Sequence, residues 1–138
     1  MMSRVLLLIF TIFTYLLLTL AAPIPESAGL EKKTTHTGRG TWFHVGEGNC
    51  GKWNVDSDHI VAVPKSLYDQ NKGSNCGQYV RITNRDTGKT VYGLTRDSCP
   101  SCGWGDLDMS PSLFEELAPL SKGVVNISWN FMARGWNP

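Results

Sequence analysis

Three aspartates flank a closely spaced pair of cysteines in the second half of the chain. Asp97 precedes Cys99, and Asp106 and Asp108 follow Cys102. Carboxyl groups are the groups that cleave glycosidic bonds, because one protonates the leaving oxygen and a second acts as base or nucleophile. The aspartates therefore offer a carboxylate pair for work on a glycan, provided that the fold brings two of them together.

Aromatic residues are the other candidates for ligand contact. Trp104 lies between Gly103 and Gly105, where core packing is hard to arrange, so we expect its ring to be exposed and to contact ligand. Trp42 and Tyr79 lie on predicted strands, where aromatic residues often belong to the core. We keep both as further ligand-binding candidates.

The amino-terminal residues have the layout of a secretory signal peptide. Arg4 is followed by an uninterrupted apolar run from Val5 to Leu20 and then by the small residues Ala21 and Ala22. We expect cleavage after Ala21, so that residues 1–21 are the signal peptide and the protein is secreted to the extracellular space. The alternative is a short uncleaved membrane anchor.

The charges of the remaining chain balance. The sequence has 13 Lys and Arg residues and 12 Asp and Glu residues, and removal of the leader takes away only Arg4. A neutral chain lacks the basic excess that is typical of nucleic-acid binders. No later segment is apolar enough to cross a bilayer, and the remaining length corresponds to one domain. We expect a monomer without nucleic-acid or membrane partners.

All four cysteines lie after the leader, at Cys50, Cys76, Cys99 and Cys102. An even count in an exported chain predicts two disulfides. A four-cysteine zinc site is the alternative, but such a site requires two close cysteine pairs, and here only Cys99 and Cys102 are close. We therefore expect no metal and no other cofactor.

The chain after the leader divides into a tail and a domain. Residues 22–37 contain few large apolar residues and show no periodicity, so we expect a flexible amino-terminal segment. Lys32-Lys33 within this segment is either a dibasic processing site or plain solvated charge. Residues 38–138 form the predicted domain.

Short β-like runs separated by turn-forming residues fill the domain. The predicted strands are 40–45, 59–63, 78–83, 90–95 and 124–132. Residues 84–89 join two of them as a hairpin in which Gly88 takes a positive φ. Two short helices are predicted, the first beginning at Pro64 and the second at Pro111 with Ser110 as its cap.

The last predicted strand alternates between apolar and polar residues. Val125, Ile127, Trp129 and Phe131 share one face, and Val124, Asn126, Ser128 and Asn130 share the other. The outward Asn126 begins an Asn-Ile-Ser sequon, so we expect N-glycosylation at this residue.

Six short motifs occur in an order found in a known group of proteins. They are Gly40-Thr41-Trp42-Phe43, Asn49-Cys50-Gly51, Val61-Ala62-Val63-Pro64, Cys76-Gly77-Gln78-Tyr79-Val80, Arg96-Asp97-Ser98-Cys99-Pro100-Ser101-Cys102-Gly103 and Gly105-Asp106-Leu107-Asp108-Met109-Ser110. In this order they resemble secreted fungal proteins of the rare lipoprotein A-like, barwin-like and expansin-like group, which includes kiwellin and glycoside hydrolase family 45. The resemblance implies a mainly β fold, a six-stranded double-psi β-barrel with two short helices and a shallow surface groove.

The resemblance also implies a disulfide pairing and a site residue. It suggests the pair Cys50–Cys76, which leaves Cys99–Cys102. Asp108 stands where expansins and family 45 hydrolases carry the Asp of a His-Phe-Asp motif, so Asp108 is the candidate catalytic residue. The alternative is that its carboxylate binds backbone amides at the turn before the second helix.

The second catalytic group of the related enzymes is missing from the sequence. Family 45 hydrolases carry a base Asp just after the first strand's aromatics, where this sequence has His44, and the histidine of lytic transglycosylases aligns near Val63. His44 and His59 could act as bases, although an isolated histidine in a small β domain is usually a surface residue. Asp97 matches an Asp that ties the family's loop to the barrel, and we expect Asp106 to be exposed.

We therefore expect a secreted, non-catalytic barrel that binds an extracellular ligand, with cell-wall polysaccharide favoured. The expected ligand-binding residues are Trp104, Asp108, Asp106, Trp42 and Tyr79. One alternative is a glycan-cleaving enzyme, an endoglucanase or lytic transglycosylase, that uses Asp108. Another is a protease inhibitor or host-interaction effector with a secreted partner protein, because nothing in the sequence separates sugar from protein as the ligand.

Overall fold

The computed structural model describes residues 33–138. The predicted signal peptide, its membrane-anchor alternative and most of the predicted flexible segment lie outside the described residues. Within residues 33–138, the helices are too short and too polar to cross a membrane.

Six strands and two short helices make up this part of the chain. The strands are β1 (His36–Trp42), β2 (Ile60–Pro64), β3 (Tyr79–Asn84), β4 (Thr90–Cys99), β5 (Leu107–Met109) and β6 (Val125–Phe131). Helix α1 (Lys65–Gln70) follows β2, helix α2 (Pro111–Leu117) follows β5, and a 3-10 turn (Leu120–Lys122) precedes β6. The predicted mainly β fold is confirmed.

The strands form a closed barrel in the order β1-β5-β2-β4-β3-β6. β1 runs parallel to β5 and β2 runs parallel to β4, while the remaining neighbours are antiparallel. Several barrel neighbours are distant in sequence, since β1 lies between β5 and β6. The closure brings the motifs of both chain halves onto one surface.

Alternate strand residues fill the interior of the barrel. Along β6, Val125, Ile127 and Trp129 are at most 1% exposed, while Asn126 faces solvent. The alternation predicted for this strand is confirmed. Phe114 of α2 is fully buried against the same core, so the helix covers one end of the apolar interior.

β1 begins at His36 rather than at Gly40, so the last two residues of the predicted flexible segment belong to the sheet. The ladder between β1 and β6 starts at the pair His36 and Trp129, and their rings stack with centroids 4.1 Å apart. Local propensity cannot reveal such a long-range pairing, because strand formation depends on the partner strand.

Four further details bear on the predicted elements. β4 continues to Cys99, and the unpredicted β5 is too short to show a periodicity. Ser110 precedes α2 as predicted, but its hydroxyl does not cap the helix and instead accepts the amide of Ile60 at 3.2 Å. The hairpin between β3 and β4 is confirmed, with Gly88 at φ 78°.

Both predicted disulfides are present. Cys50 and Cys76 are joined with their Cα atoms 5.7 Å apart, and Cys99 and Cys102 with theirs 5.4 Å apart. The first disulfide ties the connection after β1 to the connection before β3. The second closes a short loop at the end of β4.

Candidate functional site

Four residues on neighbouring strands form one row across the outside of the barrel. The register pairs Thr41 with Asp108, Asp108 with Ala62, and Ala62 with Asp97. We call these four residues the Asp108 row. Adjacent strands lie about 4.8 Å apart, so the Cα atoms of Asp108 and Asp97 are roughly 10 Å apart, with only the methyl group of Ala62 between them. The row therefore brings together two of the aspartates that flank the cysteine pair.

Asp108 is half-buried in this row. Its Oδ1 accepts the hydroxyl of Thr41 at 2.8 Å. Burial raises the pKa of Asp108 above the ordinary value of 3.8, the charge of Asp97 adds to the rise, and the hydrogen bonds from Thr41 and from the amide of Met109 oppose it. The carboxyl therefore keeps its proton to a higher pH than a free aspartate does.

The contacts of Asp108 agree in part with the amide-binding alternative, because its carboxyl accepts the backbone amide of Met109. The residue lies within β5 rather than in the turn before α2. Its amide contact is to the next residue, Met109, and its other bond crosses to Thr41 on β1. The side chain is therefore part of the sheet surface.

Asp97 closes one end of the row. Its Oδ1 accepts the amides of Asn49 and Ser98, both at 2.8 Å, and the Asn49 side chain also donates to the Ser98 hydroxyl at 3.1 Å. Asn49 belongs to residues 46–54, which we call the arm. Asp97 thus fixes the arm to the end of β4, a tethering role of the kind that the resemblance implies.

The arm is a small hairpin that is held at both ends. The amide of Gly48 donates to the carbonyl of Lys52 and the amide of Asn54 donates to that of Gly46, each at 3.1 Å. At its tip, the amide of Cys50 donates to the carbonyl of Arg96 at 3.2 Å, and the disulfide to Cys76 adds a covalent link. The arm is therefore a fixed part of the barrel surface.

Trp53 and Val55 are the most exposed large apolar residues of the described chain. Trp53 is 75% exposed and Val55 is 61% exposed, while Asn54 between them is partly buried. Trp53 lies on no element that the sequence predicts. The alternation of two apolar residues around a polar one, in a segment rich in Gly and Asn, is the signal that could have indicated an exposed apolar face.

Asp106 is largely covered, which corrects the expectation that it is exposed. Its side chain is 18% exposed. Oδ1 accepts the amide of Arg39 and Oδ2 accepts the amide of Gly103, each at 2.9 Å, and the Arg39 guanidinium lies 3.8 Å from Oδ2. Both carboxylate oxygens are used within the protein, so Asp106 connects β1 to the turn at residues 103–106.

Trp104 lies at the tip of this turn and is 50% exposed, as the flanking glycines predicted. The amide of Asp106 donates to the carbonyl of Gly103 at 3.0 Å, and the carbonyl of Gly105 accepts the indole N–H of Trp129 at 2.8 Å. A ring on such a fixed turn loses little conformational entropy when it binds a ligand.

Trp42 and Tyr79 do not join the Asp108 row. Trp42 packs against the core, and its indole N–H donates to the carbonyl of Leu120 at 3.0 Å. The ring of Tyr79 lies edge-on to Trp136 with centroids 5.8 Å apart, and Tyr92 packs against the same indole. Packing contacts within the protein thus explain the positions of the Trp42 and Tyr79 rings.

Both candidate histidines are paired with carboxylates outside the row. His44 Nδ1 lies 2.6 Å from Asp56 Oδ2, and this hydrogen bond lowers the pKa of Asp56. His59 Nε2 lies 3.6 Å from Glu116 Oε1. Neither histidine faces Asp108 in the strand register, so neither supplies it with a base.

A surface depression of the described residues lies apart from the row. An open depression of about 600 Å³ is lined by Thr87, Lys89 and residues 115–120, and it includes no member of the row. Among the described residues, no group of three His, Cys, Asp or Glu side chains is arranged to hold a metal ion. The Asp108 row therefore remains the candidate site, and Trp104 remains the exposed ring that the sequence indicated as a ligand contact.

Comparison with known proteins gives relatives but no matching family model. The papain inhibitor of Streptomyces mobaraensis is 36% identical over 121 residues, which is 83% of each chain. Expansin-like protein 1 of Dictyostelium discoideum is 30% identical over 135 residues, and allergen Asp f 7 of Aspergillus fumigatus is 36% identical over 85 residues. The match spans only 46% and 30% of the lengths of these last two relatives.

Solved structures similar to this chain include the same inhibitor and a bacterial expansin. The Streptomyces papain inhibitor superposes with a TM-score of 0.64 at 34% identity, covering 72% of this chain and 94% of the inhibitor. A variant of Clavibacter michiganensis expansin in complex with cellohexaose superposes with a TM-score of 0.66 at 26% identity, covering 76% of this chain and 54% of the expansin.

The closed six-stranded barrel and these neighbours define a double-psi β-barrel protein of the expansin-like group. Within that group, the chain belongs to the family of the Streptomyces papain inhibitor, with which it shares nearly the whole barrel.

Proposed function

We propose that the protein is a secreted, monomeric, non-catalytic barrel that binds a cell-wall polysaccharide at the Asp108 row. The row itself carries this proposal, because Thr41, Asp108 and Asp97 present hydroxyl and carboxyl groups side by side on the sheet surface. Sugar hydroxyls pair with such groups, and the exposed ring of Trp104 supplies an apolar face for a sugar ring. The expansin solved with cellohexaose supports this class of ligand, and the two disulfides fit an oxidising compartment.

We propose no catalysis because the carboxylates near Asp108 are engaged in hydrogen bonds within the protein. Hydrolysis needs a second group that is free to act as base or nucleophile. Asp97 Oδ1 is held by two amides, and both oxygens of Asp106 are occupied. Asp108 is therefore better suited to hydrogen bonding than to bond cleavage.

Co-sedimentation tests this proposal. The purified protein is mixed with insoluble cellulose, chitin, β-glucan or peptidoglycan and pelleted, and we expect at least one polymer to retain it. Asp108→Ala and Trp104→Ala should each weaken that binding about tenfold, which corresponds to about 1.4 kcal/mol. Trp53→Ala is the matched control, since it removes an equally large exposed ring outside the row. Wild-type protein that stays in solution with every polymer would contradict the proposal.

Inhibition of a papain-type cysteine protease is the second candidate function. The papain inhibitor matches over 83% of both chains, whereas the matched expansin-like protein continues well beyond the barrel. The arm also exposes Trp53, and Val55 directly after the arm is exposed as well. Such an apolar pair is of the kind that anchors protein interfaces, and the valine offers no hydrogen bond to a sugar.

The second candidate is tested with the same variants. Papain activity is measured with increasing amounts of wild-type protein, and inhibition should weaken about tenfold or more in Trp53→Ala and in Val55→Ser. Asp108→Ala should inhibit as wild type does. A wild-type protein without effect on papain would exclude this candidate and would leave the polysaccharide proposal intact.

A further inference from the structure

The described chain begins with exposed residues that lie outside the barrel. Lys33, Thr34 and Thr35 are exposed and belong to no strand or helix. The first residue with a ladder partner is His36, which pairs with Trp129 and stacks on its ring. The peptide bond between Lys33 and Thr34 is therefore accessible, and its cleavage breaks no strand pairing.

Two basic residues precede this accessible bond. Lys32-Lys33 is the single pair of adjacent basic residues in the sequence. Endoproteases that recognise paired basic residues hold both cations in acidic specificity pockets and act on exposed, extended chain. Other lysines of the described chain lie within the folded domain. Lys65, for example, is on α1 and paired with Asp69 at 2.7 Å.

The barrel accounts for most of the length of a folded relative. The solved papain inhibitor is covered over 94% of its length by 72% of this chain. A barrel that starts near His36 thus corresponds to almost all of a folded relative.

We propose that Lys32-Lys33 is a processing site, at which a secretory endoprotease specific for paired basic residues releases the preceding segment. Water adds across the peptide bond between Lys33 and Thr34, leaving a carboxylate on Lys33 and a new amino group on Thr34. The product is the barrel at residues 34–138. This inference rests on the proposed secretion but not on the nature of the ligand.

Expression in two otherwise identical secretion hosts, with and without the dibasic endoprotease, tests the processing site. Intact mass of the deglycosylated protein should show a chain starting at Thr34 in the first host and a longer chain in the second. Lys33→Gln should give the longer chain in both hosts, while the control Lys52→Gln should be processed as wild type. A wild-type chain that retains residues before Lys32 in the first host would overturn the inference. Absence of the protein from the medium would instead contradict the proposed secretion.

Limited proteolysis of the longer chain gives an independent measurement. Brief trypsin treatment of the folded protein should cut first after Lys32 or Lys33 and leave residues 34–138 intact. First cleavage within the barrel, for example after Lys52 in the arm, would show that the proposed site is less accessible than the domain and would overturn the inference.

Discussion

At the scale of single residues, the environment of Asp108 depends on its two flanking strands. Thr41 on one side supplies a hydroxyl donor. On the other side, the small side chain of Ala62 separates Asp108 from Asp97, whose charge adds to the rise in the pKa of Asp108 that burial causes. An asparagine at this position keeps an oxygen that accepts the Thr41 hydroxyl but has no charge to desolvate. A comparison of aspartate with asparagine at this position therefore separates the effect of side-chain shape from the effect of charge.

Asp108→Asn should make the free energy of unfolding less dependent on pH. Because burial raises the pKa of Asp108 in the folded protein, the folded state binds the proton more tightly than the unfolded state does. The cost of ionising Asp108 is absent below the unfolded value near 3.8 and grows as the pH rises through the raised folded value. Urea unfolding at pH 3 and at pH 7 should show the variant gaining stability relative to wild type at the higher pH. A difference in stability between the two proteins that is the same at both pH values would contradict burial as the main cause.

The wild-type protein should release no reducing sugar or anhydro-sugar from wall polysaccharides above the level of Asp108→Asn. General acid–base groups contribute factors of about 100 to 10,000, so a glycan-cleaving enzyme would separate the two proteins clearly. Sugar release is measured by reducing-end assay and mass spectrometry. If a gap appears, Asp97→Asn becomes the decisive variant, because Asp97 is the carboxylate that the register places in the same row.

At the scale of elements, two short segments are fixed to the barrel so that a tryptophan remains exposed on each. The turn at residues 103–106 is held through Asp106 and Gly105, and the arm is held through Asp97 and the disulfide of Cys50. In both segments, a glycine allows the backbones to approach closely. The exposure of the tryptophans is therefore built into the fold rather than being a result of loose loops.

Gly105→Ala should destabilise the protein by about 2 kcal/mol or more, because the new methyl group meets the backbone carbonyl of Thr37, which cannot move aside without disrupting β1. Gly46→Ala is the matched control, since its methyl group would have only an ordinary contact with the Trp53 ring at 3.8 Å. Thermal and urea unfolding of both variants measures the difference. Equal stability of the two variants would show that the turn can move away from β1.

Removal of the Cys50–Cys76 disulfide should cost more stability than removal of the Cys99–Cys102 disulfide. The paired residues are 26 positions apart in the first case and 3 in the second. Loop-closure entropy gives about 3.5 kcal/mol for the longer loop and about 2 kcal/mol for the shorter one. Urea unfolding of the two double-serine variants checks this order, and the reverse order would contradict the entropic account.

The sequence predicted the local features of these elements better than their contacts. The glycines around Trp104 indicated an exposed ring, and the alternation around Trp129 indicated the buried face of β6. The sequence did not indicate that Asp106 is largely buried, because its partner Arg39 is on a strand far away in the chain. The row of Thr41, Asp108 and Asp97 was missed for the same reason, since register between distant strands leaves no periodic trace in one sequence.

At the scale of the whole molecule, closure of the barrel places one set of strand side chains in the core and the other on the outer surface. β6 shows this division most clearly, because its apolar residues fill the core while Asn126 faces solvent and lies 3.4 Å from the Asp86 carboxylate. A glycan attached to Asn126 would extend outward without disturbing the core. The outward position of Asn126 is therefore compatible with the expected modification.

Asn126 should carry an N-linked glycan when the protein passes through a eukaryotic secretory pathway. Asn126→Gln and Ser128→Ala should each remove the glycan, the second without changing the acceptor asparagine. Intact mass before and after enzymatic deglycosylation measures the modification. Identical masses for wild type and both variants would contradict the prediction, and an unchanged unfolding midpoint in the variants would support the outward position of the glycan.

The pairing of β1 with β5 and β6 also determines when this molecule can fold during its synthesis. β1 emerges from the ribosome first, but its partners include the last strand to be made, at Val125–Phe131. The β3–β4 hairpin can form early because its strands are adjacent in the chain, whereas closure must wait for β6. In a eukaryotic secretory pathway, we therefore expect the sequon at Asn126 on β6 to reach the glycosylation machinery before the sheet has closed.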